Sequence, residues 1–287
     1  MQTCFGSGPT ARKESMQVGI FSKTFSRPTL DESLDAIRAA GFGCVQFNLQ
    51  TVGLPTMPES LDSDLCDRIR LAMGAREIEV SALSGTFNII HPNAEEQQSG
   101  MKSLRVLANA CESLGTSLIT ISTGTRNADY MWAGHAENVS EDAWRDMIVS
   151  IAEATEIAEQ AGVTLVFEPE LSNVVSSAKK ARRLLDEIRS PHLKVVIDGA
   201  NLFHVSEKDR MHEILDEAFD LIGKDIALAH AKDLSAEGFS AAGKGILDYD
   251  RYISLLQSIG FTGGLILHSL DESDVPACHQ YLKSRLP

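Results

Sequence analysis

The sequence contains no CxxC pair, and its five cysteines, Cys4, Cys44, Cys66, Cys111 and Cys278, are odd in number and widely scattered. That pattern excludes a disulfide framework and a thiolate zinc site, and it suits a reducing, cytoplasmic compartment. No run of 18 apolar residues occurs, so no membrane span or membrane partner is expected. The first fifteen residues, MQTCFGSGPTARKES, lack the apolar stretch of a secretory signal. They read as a loose extension over 1–15, with a single folded domain over 16–287. Positive charge is the scarcer sign: 26 Lys and Arg against 40 Asp and Glu leave a formal net charge of −14. A phosphate backbone needs a basic surface, so nucleic acid is not an expected partner. A small anionic substrate stays open, because a basic pocket can sit on an acidic protein.

What is present is an ordinary globular composition, 43% hydrophobic and 23% charged, over 287 residues. That length suits one α/β barrel of about 250 residues. Short apolar runs alternate with amphipathic segments. Strands are expected at 17–22, 44–49, 78–85, 117–123, 164–170, 193–201, 226–233 and 263–271. Helices are expected at 30–42, 60–75, 101–115, 141–161, 176–188, 210–222, 249–259 and 274–286. Eight strands each followed by a helix is the (β/α)8 TIM-barrel pattern. Doubly wound open sheets share the alternation, but eight units over this length favour closure.

The last four runs, TLVFEPE, LKVVIDGAN, IALAHAKD and GGLILHSLD, are rich in Val, Ile and Leu, as strands buried on both faces require. Each ends on a polar residue that binds metals well: Glu168, Asp198, His230 and His268. Residues two apart on a strand face the same way. Val166, Val196, Leu228 and Ile266 therefore lie beneath these four groups as an apolar interior layer. Parallel strands of a closed sheet would bring all four to the carboxyl rim, where barrel chemistry occurs, as a divalent-metal site.

With these residues in place, the chain resembles the xylose-isomerase-like barrel superfamily, which includes sugar-phosphate isomerases and epimerases, ketose 3-epimerases, inosose dehydratases and related lyases. The resemblance covers nearly everything after Met16. It rests on FEPE at Glu168, VVIDGAN at Asp198, HAKD at His230 and the trailing GKGILDYDRYISLLQSIGFTGGLIL. The family places glutamate, aspartate, histidine and glutamate after strands five to eight, and Glu168, Asp198 and His230 match the first three. His268 stands in the fourth place, and Asn201 stands where the family often has the histidine of Asp-x-x-His. The resemblance implies Mn²⁺ as cofactor, while the nitrogen ligands also admit Zn²⁺, Co²⁺ or Fe²⁺, and Mg²⁺ stays open. It implies that Lys232 contacts a substrate oxygen or phosphate. Asp271 or Glu272 is the alternative to His268 as replacement for the missing glutamate.

Other rim candidates come from the loops. GTRNADYMWAGHAEN holds Arg126, Tyr130, Trp132 and His135, a mix suited to stacking on a sugar and gripping its oxygens. Asn88 and His91 follow the third strand, and Asn201 can hydrogen-bond a hydroxylated ligand. Gly243 and Gly245 suit either a loop that approaches a ligand closely or an ordinary turn. Glu170 reads either as a partner orienting a metal ligand or as a cap. The expected substrate is a small carbohydrate, and self-association stays open. Glu168 is expected to serve both as ligand and as proton-transfer base, with His268 as ligand and acid–base partner. Isomerisation or epimerisation through an enediolate is the leading expectation. Elimination from an inosose or keto-glycoside shares that intermediate and is the alternative, and a barrel that only binds carbohydrate is a third.

Overall fold

Strands apolar on both faces need helices outside and side chains filling the space inside, and closing the sheet supplies both. The computed structural model describes residues 15–286, so Cys4 and nearly all of the expected extension lie outside the described residues. Its barrel strands are β1 (Gln17–Phe21), β2 (Cys44–Phe47), β3 (Glu79–Ser84), β4 (Leu118–Ile121), β5 (Thr164–Phe167), β6 (Leu193–Asp198), β7 (Ile226–Ala231) and β10 (Gly264–Leu267). They close in the order β1-β10-β7-β6-β5-β4-β3-β2, and every pairing is parallel. A short hairpin of β8 (Asp233–Ser235) and β9 (Gly238–Ser240) interrupts the alternation after β7.

Among the described residues, eight α-helices surround the sheet: α1 (Leu30–Ala39), α2 (Ser63–Gly74), α3 (Ala94–Leu114), α4 (Glu141–Ala161), α5 (Ala178–Ile188), α6 (Met211–Ile222), α7 (Tyr249–Ser258) and α8 (Val275–Lys283). All but α6 and α8 start at a side chain that caps the first turn. Thr29 and Glu32 form a reciprocal box at α1, with Thr29 Oγ1 accepting from the Glu32 amide at 3.2 Å. The α3 start corrects the expectation of 101. The residues Glu95, Glu96, Gln97 and Gln98 carry no apolar period, yet Asn93 caps their turn and the two glutamates complement the helix dipole. No helix of the described residues is long and apolar enough to cross a membrane.

Side-chain parity divides the buried residues into two bodies. The larger lies between sheet and helices. The smaller, Cys44, Ala82, Val166, Val196, Leu228 and Ile266, fills the barrel interior beneath the rim. Gly19 belongs to this layer, because a Cβ there would come within 2.6 Å of Ile266 Cδ1 and 2.7 Å of Cys44 Sγ. The four described cysteines are all buried. Gly243 and Gly245 prove to serve a turn. Gly243 has φ +82° against Tyr281, and a Cβ on Gly245 would lie 2.3 Å from Asp233 Oδ1. Asp233 organises that turn by accepting from the amides of Gly243 and Leu247 at 3.1 and 2.9 Å.

Candidate active site

The apolar interior layer ends where polar inward-facing residues begin. Asp198 closes β6 in register with His230 of β7, and His230 pairs across with Ile266 of β10. Glu168 and His268 each follow directly on β5 and β10. One ligand atom from each of Glu168, Asp198, His230 and His268 lies within 4.8 Å of all the others. Asp198 and His230 are buried, and Glu168 and His268 are half-buried.

Neighbours fix each group. Asp198 Oδ1 accepts from the Ala200 amide at 3.0 Å, while Oδ2 lies 3.0 Å from His268 Nε2 and 3.5 Å from Lys232 Nζ. Glu168 Oε1 accepts from Asn201 Nδ2 at 2.6 Å and faces His230 Nδ1 at 3.4 Å. His230 Nε2 lies 2.8 Å from Gln46 Oε1. Its Nδ1 is buried without a hydrogen-bond partner, as is Asn201 Oδ1. The Phe21 ring packs against both imidazoles, at 5.5 Å from His230 and 5.3 Å from His268.

Burial and charge act against each other throughout this cluster. Burial alone would raise the Glu168 carboxyl, but the His230 ring and the Lys232 ammonium hold it below the usual carboxylate range. Burial opposes ionisation of Asp198 as well, and Lys232 and His268 overcome it and keep it well below that range. Lys232 is raised above an ordinary lysine, because Asp198, Glu168 and Glu170 outweigh its own burial. Burial pushes His268 down to about 4, against its hydrogen bond to Asp198, so the ring is neutral at pH 7. Glu170, buried and beside the Glu168 charge, is pushed up to about 7.

Glu168, Glu170, His230, Lys232 and His268 line a cavity of about 870 Å³, with Asp198 buried behind them. Lys232 lines it, with its ammonium 3.8 Å from the Phe239 ring of β9. Trp132 and Tyr130 line it too, with Trp132 38% exposed. Asn201 instead acts behind the wall, by holding Glu168. Three expected substrate contacts are engaged elsewhere. Arg126 is paired with Asp146. Asn88 clamps the loop after β4, donating to Thr125 and Asn127 carbonyls at 2.8 and 3.1 Å. His135 caps a short 3-10 turn, accepting from the Glu137 amide at 3.2 Å. His91 likewise contacts the Ala128 carbonyl at 3.0 Å. Asp271 and Glu272 reach the cavity wall, but the Glu272 carboxylate is taken by Arg27 at 2.8 and 2.5 Å.

Several site residues escaped the reading of the sequence. Gln46, Ser84 and Thr120 form a buried polar belt on β2, β3 and β4. Gln46 was within reach of the parity rule, since an inward polar residue two places after Cys44 has no apolar purpose. Phe239 carried no signal, because nothing marked the hairpin. A second cavity, of about 760 Å³, opens at the amino end of the barrel, but Glu79 and Lys224 are its only ionisable lining residues. Of the two cavities, the one at the carboxyl rim is therefore the richer in ionisable groups.

The family model for the xylose isomerase-like TIM barrel matches residues 34–283. Among solved structures, the 3-keto-D-glucoside 4-epimerase of E. coli is 16% identical, with a TM-score of 0.72 over 94% of this chain and 100% of that one. The probable 3-DHS dehydratase of Bacillus anthracis is 15% identical, with a TM-score of 0.71 over 93% and 98%. The IOLI protein with a binding zinc atom is 17% identical, with a TM-score of 0.70 over 94% and 96%. Identities this low establish the fold alone. No curated protein matches the chain significantly in sequence.

Proposed function

Because the chain belongs to the xylose isomerase-like TIM-barrel family, we propose that it is a divalent-metal-dependent isomerase or epimerase of a sugar or sugar phosphate. The observation that carries this reading is the unpartnered, buried Nδ1 of His230 among the ligand atoms of Glu168, Asp198 and His268. A buried polar atom left unpaired costs about 1–3 kcal/mol. Two carboxylates and two imidazoles with ligand atoms within 4.8 Å of one another are a donor set for a first-row divalent ion. Glu168, Asp198, His230 and His268 are the residues that would hold it, with Mn²⁺ the first choice and Zn²⁺, Co²⁺, Fe²⁺ or Mg²⁺ the others. Such an ion polarises a carbonyl and stabilises charge developing on neighbouring oxygens.

The chain supplies the rest. Glu168, kept ionised by its surroundings, takes the proton from the carbon beside the carbonyl, and Asn201 fixes the orientation of its carboxylate. Lys232, steadied by Asp198 and the Phe239 face, offers N–H donors to a substrate oxygen in the cavity. His268, neutral at pH 7, can accept a proton on its own side of the floor, and it delivers one there only after taking it up. Return to the opposite face gives an epimer, and return to the neighbouring carbon gives an isomer. Trp132 supplies a ring for a sugar face.

Elimination of water is the second reading, and Glu170 favours it. A carboxyl pushed up to about 7 in the cavity wall can hold a proton at neutral pH and give it to a departing hydroxyl. Metal content tests the part common to both. Elemental analysis after mild purification should find close to one divalent ion per chain in the wild type and a marked loss in Asp198→Ala. Equal metal in the two proteins would defeat the assignment.

A further inference from the structure

We infer that Gln46 is a positioning residue that fixes the ring tautomer of His230 and so makes Nδ1 available as a ligand. This rests on the metal-site reading above. Gln46 is 1% exposed on β2, and β1 and β10 separate that strand from the β7 strand of His230. Its side chain crosses the barrel interior to reach the ring.

All of its polar atoms are engaged. Nε2 lies 3.1 Å from Ser84 Oγ and 3.1 Å from Thr120 Oγ1, and Oε1 lies 2.8 Å from His230 Nε2. With both amide N–H groups directed at the hydroxyls, the amide presents its oxygen to the histidine. A carbonyl oxygen can only accept, so His230 Nε2 carries the proton. An imidazole that ligates a metal is neutral and has one N–H, so with Nε2 protonated it is Nδ1 that carries the lone pair. That is the atom left without a partner, facing Glu168 Oε1 at 3.4 Å.

This tautomer runs against the local field. A lone pair aimed at a carboxylate is less favourable than an N–H aimed at it, so a free ring would place its proton on Nδ1 and close the ligand position. The Gln46 belt holds the proton on the far side. The reverse amide orientation, with NH2 toward the ring and oxygen toward the hydroxyls, is the competing arrangement and would put the ring proton on Nδ1.

Two variants separate the consequences. Gln46→Met keeps length and burial but removes the acceptor, whereas Gln46→Glu keeps an oxygen acceptor. The first readout is a long-range ¹H–¹⁵N correlation spectrum of the metal-free, ¹⁵N-labelled full chain, with His230 assigned by its loss in His230→Gln. We expect a protonated Nε2 in wild type and Gln46→Glu, and Nδ1–H population in Gln46→Met. The second is Mn²⁺ titration, in which Gln46→Met should weaken binding by about 10- to 100-fold and Gln46→Glu should stay within about threefold of wild type. A protonated Nδ1 in the wild type would overturn the inference, as would Gln46→Met binding Mn²⁺ as tightly as wild type. Equal weakening in both variants would also overturn it, since that is the mark of a merely structural role. If Gln46→Met fails to fold, the wild-type spectrum decides the tautomer alone. Wild-type protein that binds no Mn²⁺ would defeat the proposed function, while the same spectrum would still decide the role of Gln46.

Discussion

His268 places an imidazole where the family's pattern has a carboxylate, and its surroundings decide what that exchange does. Burial keeps the ring neutral at pH 7, and Nε2 rests on Asp198 Oδ2 at 3.0 Å. A glutamate there would add a third carboxylate to a floor that already holds Glu168 and Asp198, and two like charges this close raise each other's cost of ionisation. His268→Glu should therefore lower native turnover, and by restoring the family pattern it should create weak epimerase activity, measured with a panel of ketoses. Unchanged turnover together with no new epimerase activity would show that His268 is neither ligand nor acid–base group. The clustering of Glu168, Asp198, His230 and His268 at the rim was legible because each sits where an apolar run stops, a purely local signal. Arg126, Asn88 and His135 were not, because what engages them is tertiary. Asp146, the Thr125 and Asn127 carbonyls and a 3-10 turn compete with any substrate, and no spacing rule exposes such partners.

The strands and helices were legible from period and length, and their boundaries less so. The α3 start was hidden by a first turn whose only apolar residue is Ala94, and the β8–β9 hairpin by its brevity, three residues a strand. That hairpin matters to the site because it carries Phe239 over Lys232. Packing between strands also explains why Gly19 lies opposite Ile266 and Cys44. A methyl there meets Ile266 Cδ1 at 2.6 Å and the Cys44 carbonyl oxygen at 2.9 Å, and the backbone contact cannot give way as a side chain can. Gly19→Ala should cost about 1–3 kcal/mol, the usual penalty for overpacking an interior. Chemical denaturation of the variant beside wild type reads this directly, and an unchanged midpoint would show that β1 and β10 can move apart.

On the scale of the entire barrel, burial is divided between a core outside the sheet and a small plug within it, and the plug raises the polar floor to the carboxyl rim. That arrangement leaves the ionisable groups concentrated at one end, under a cavity of about 870 Å³. The net charge of −14 is compatible with a cationic cofactor held by carboxylates. In the proposed function, Glu168 removes a carbon-bound proton from a carbonyl substrate in a metal-dependent site. Solvent exchange tests it without requiring the natural product to be known. Wild-type protein loaded with Mn²⁺ is incubated in D₂O with a panel of ketoses, inososes and keto-glycosides, and deuterium uptake beside the carbonyl is followed by NMR. Uptake is expected into at least one substrate, lost on chelation and slowed about 100-fold or more in Glu168→Gln that still holds its metal. Uptake at the wild-type rate in Glu168→Gln, or none with any substrate in the metal-loaded wild type, would contradict it.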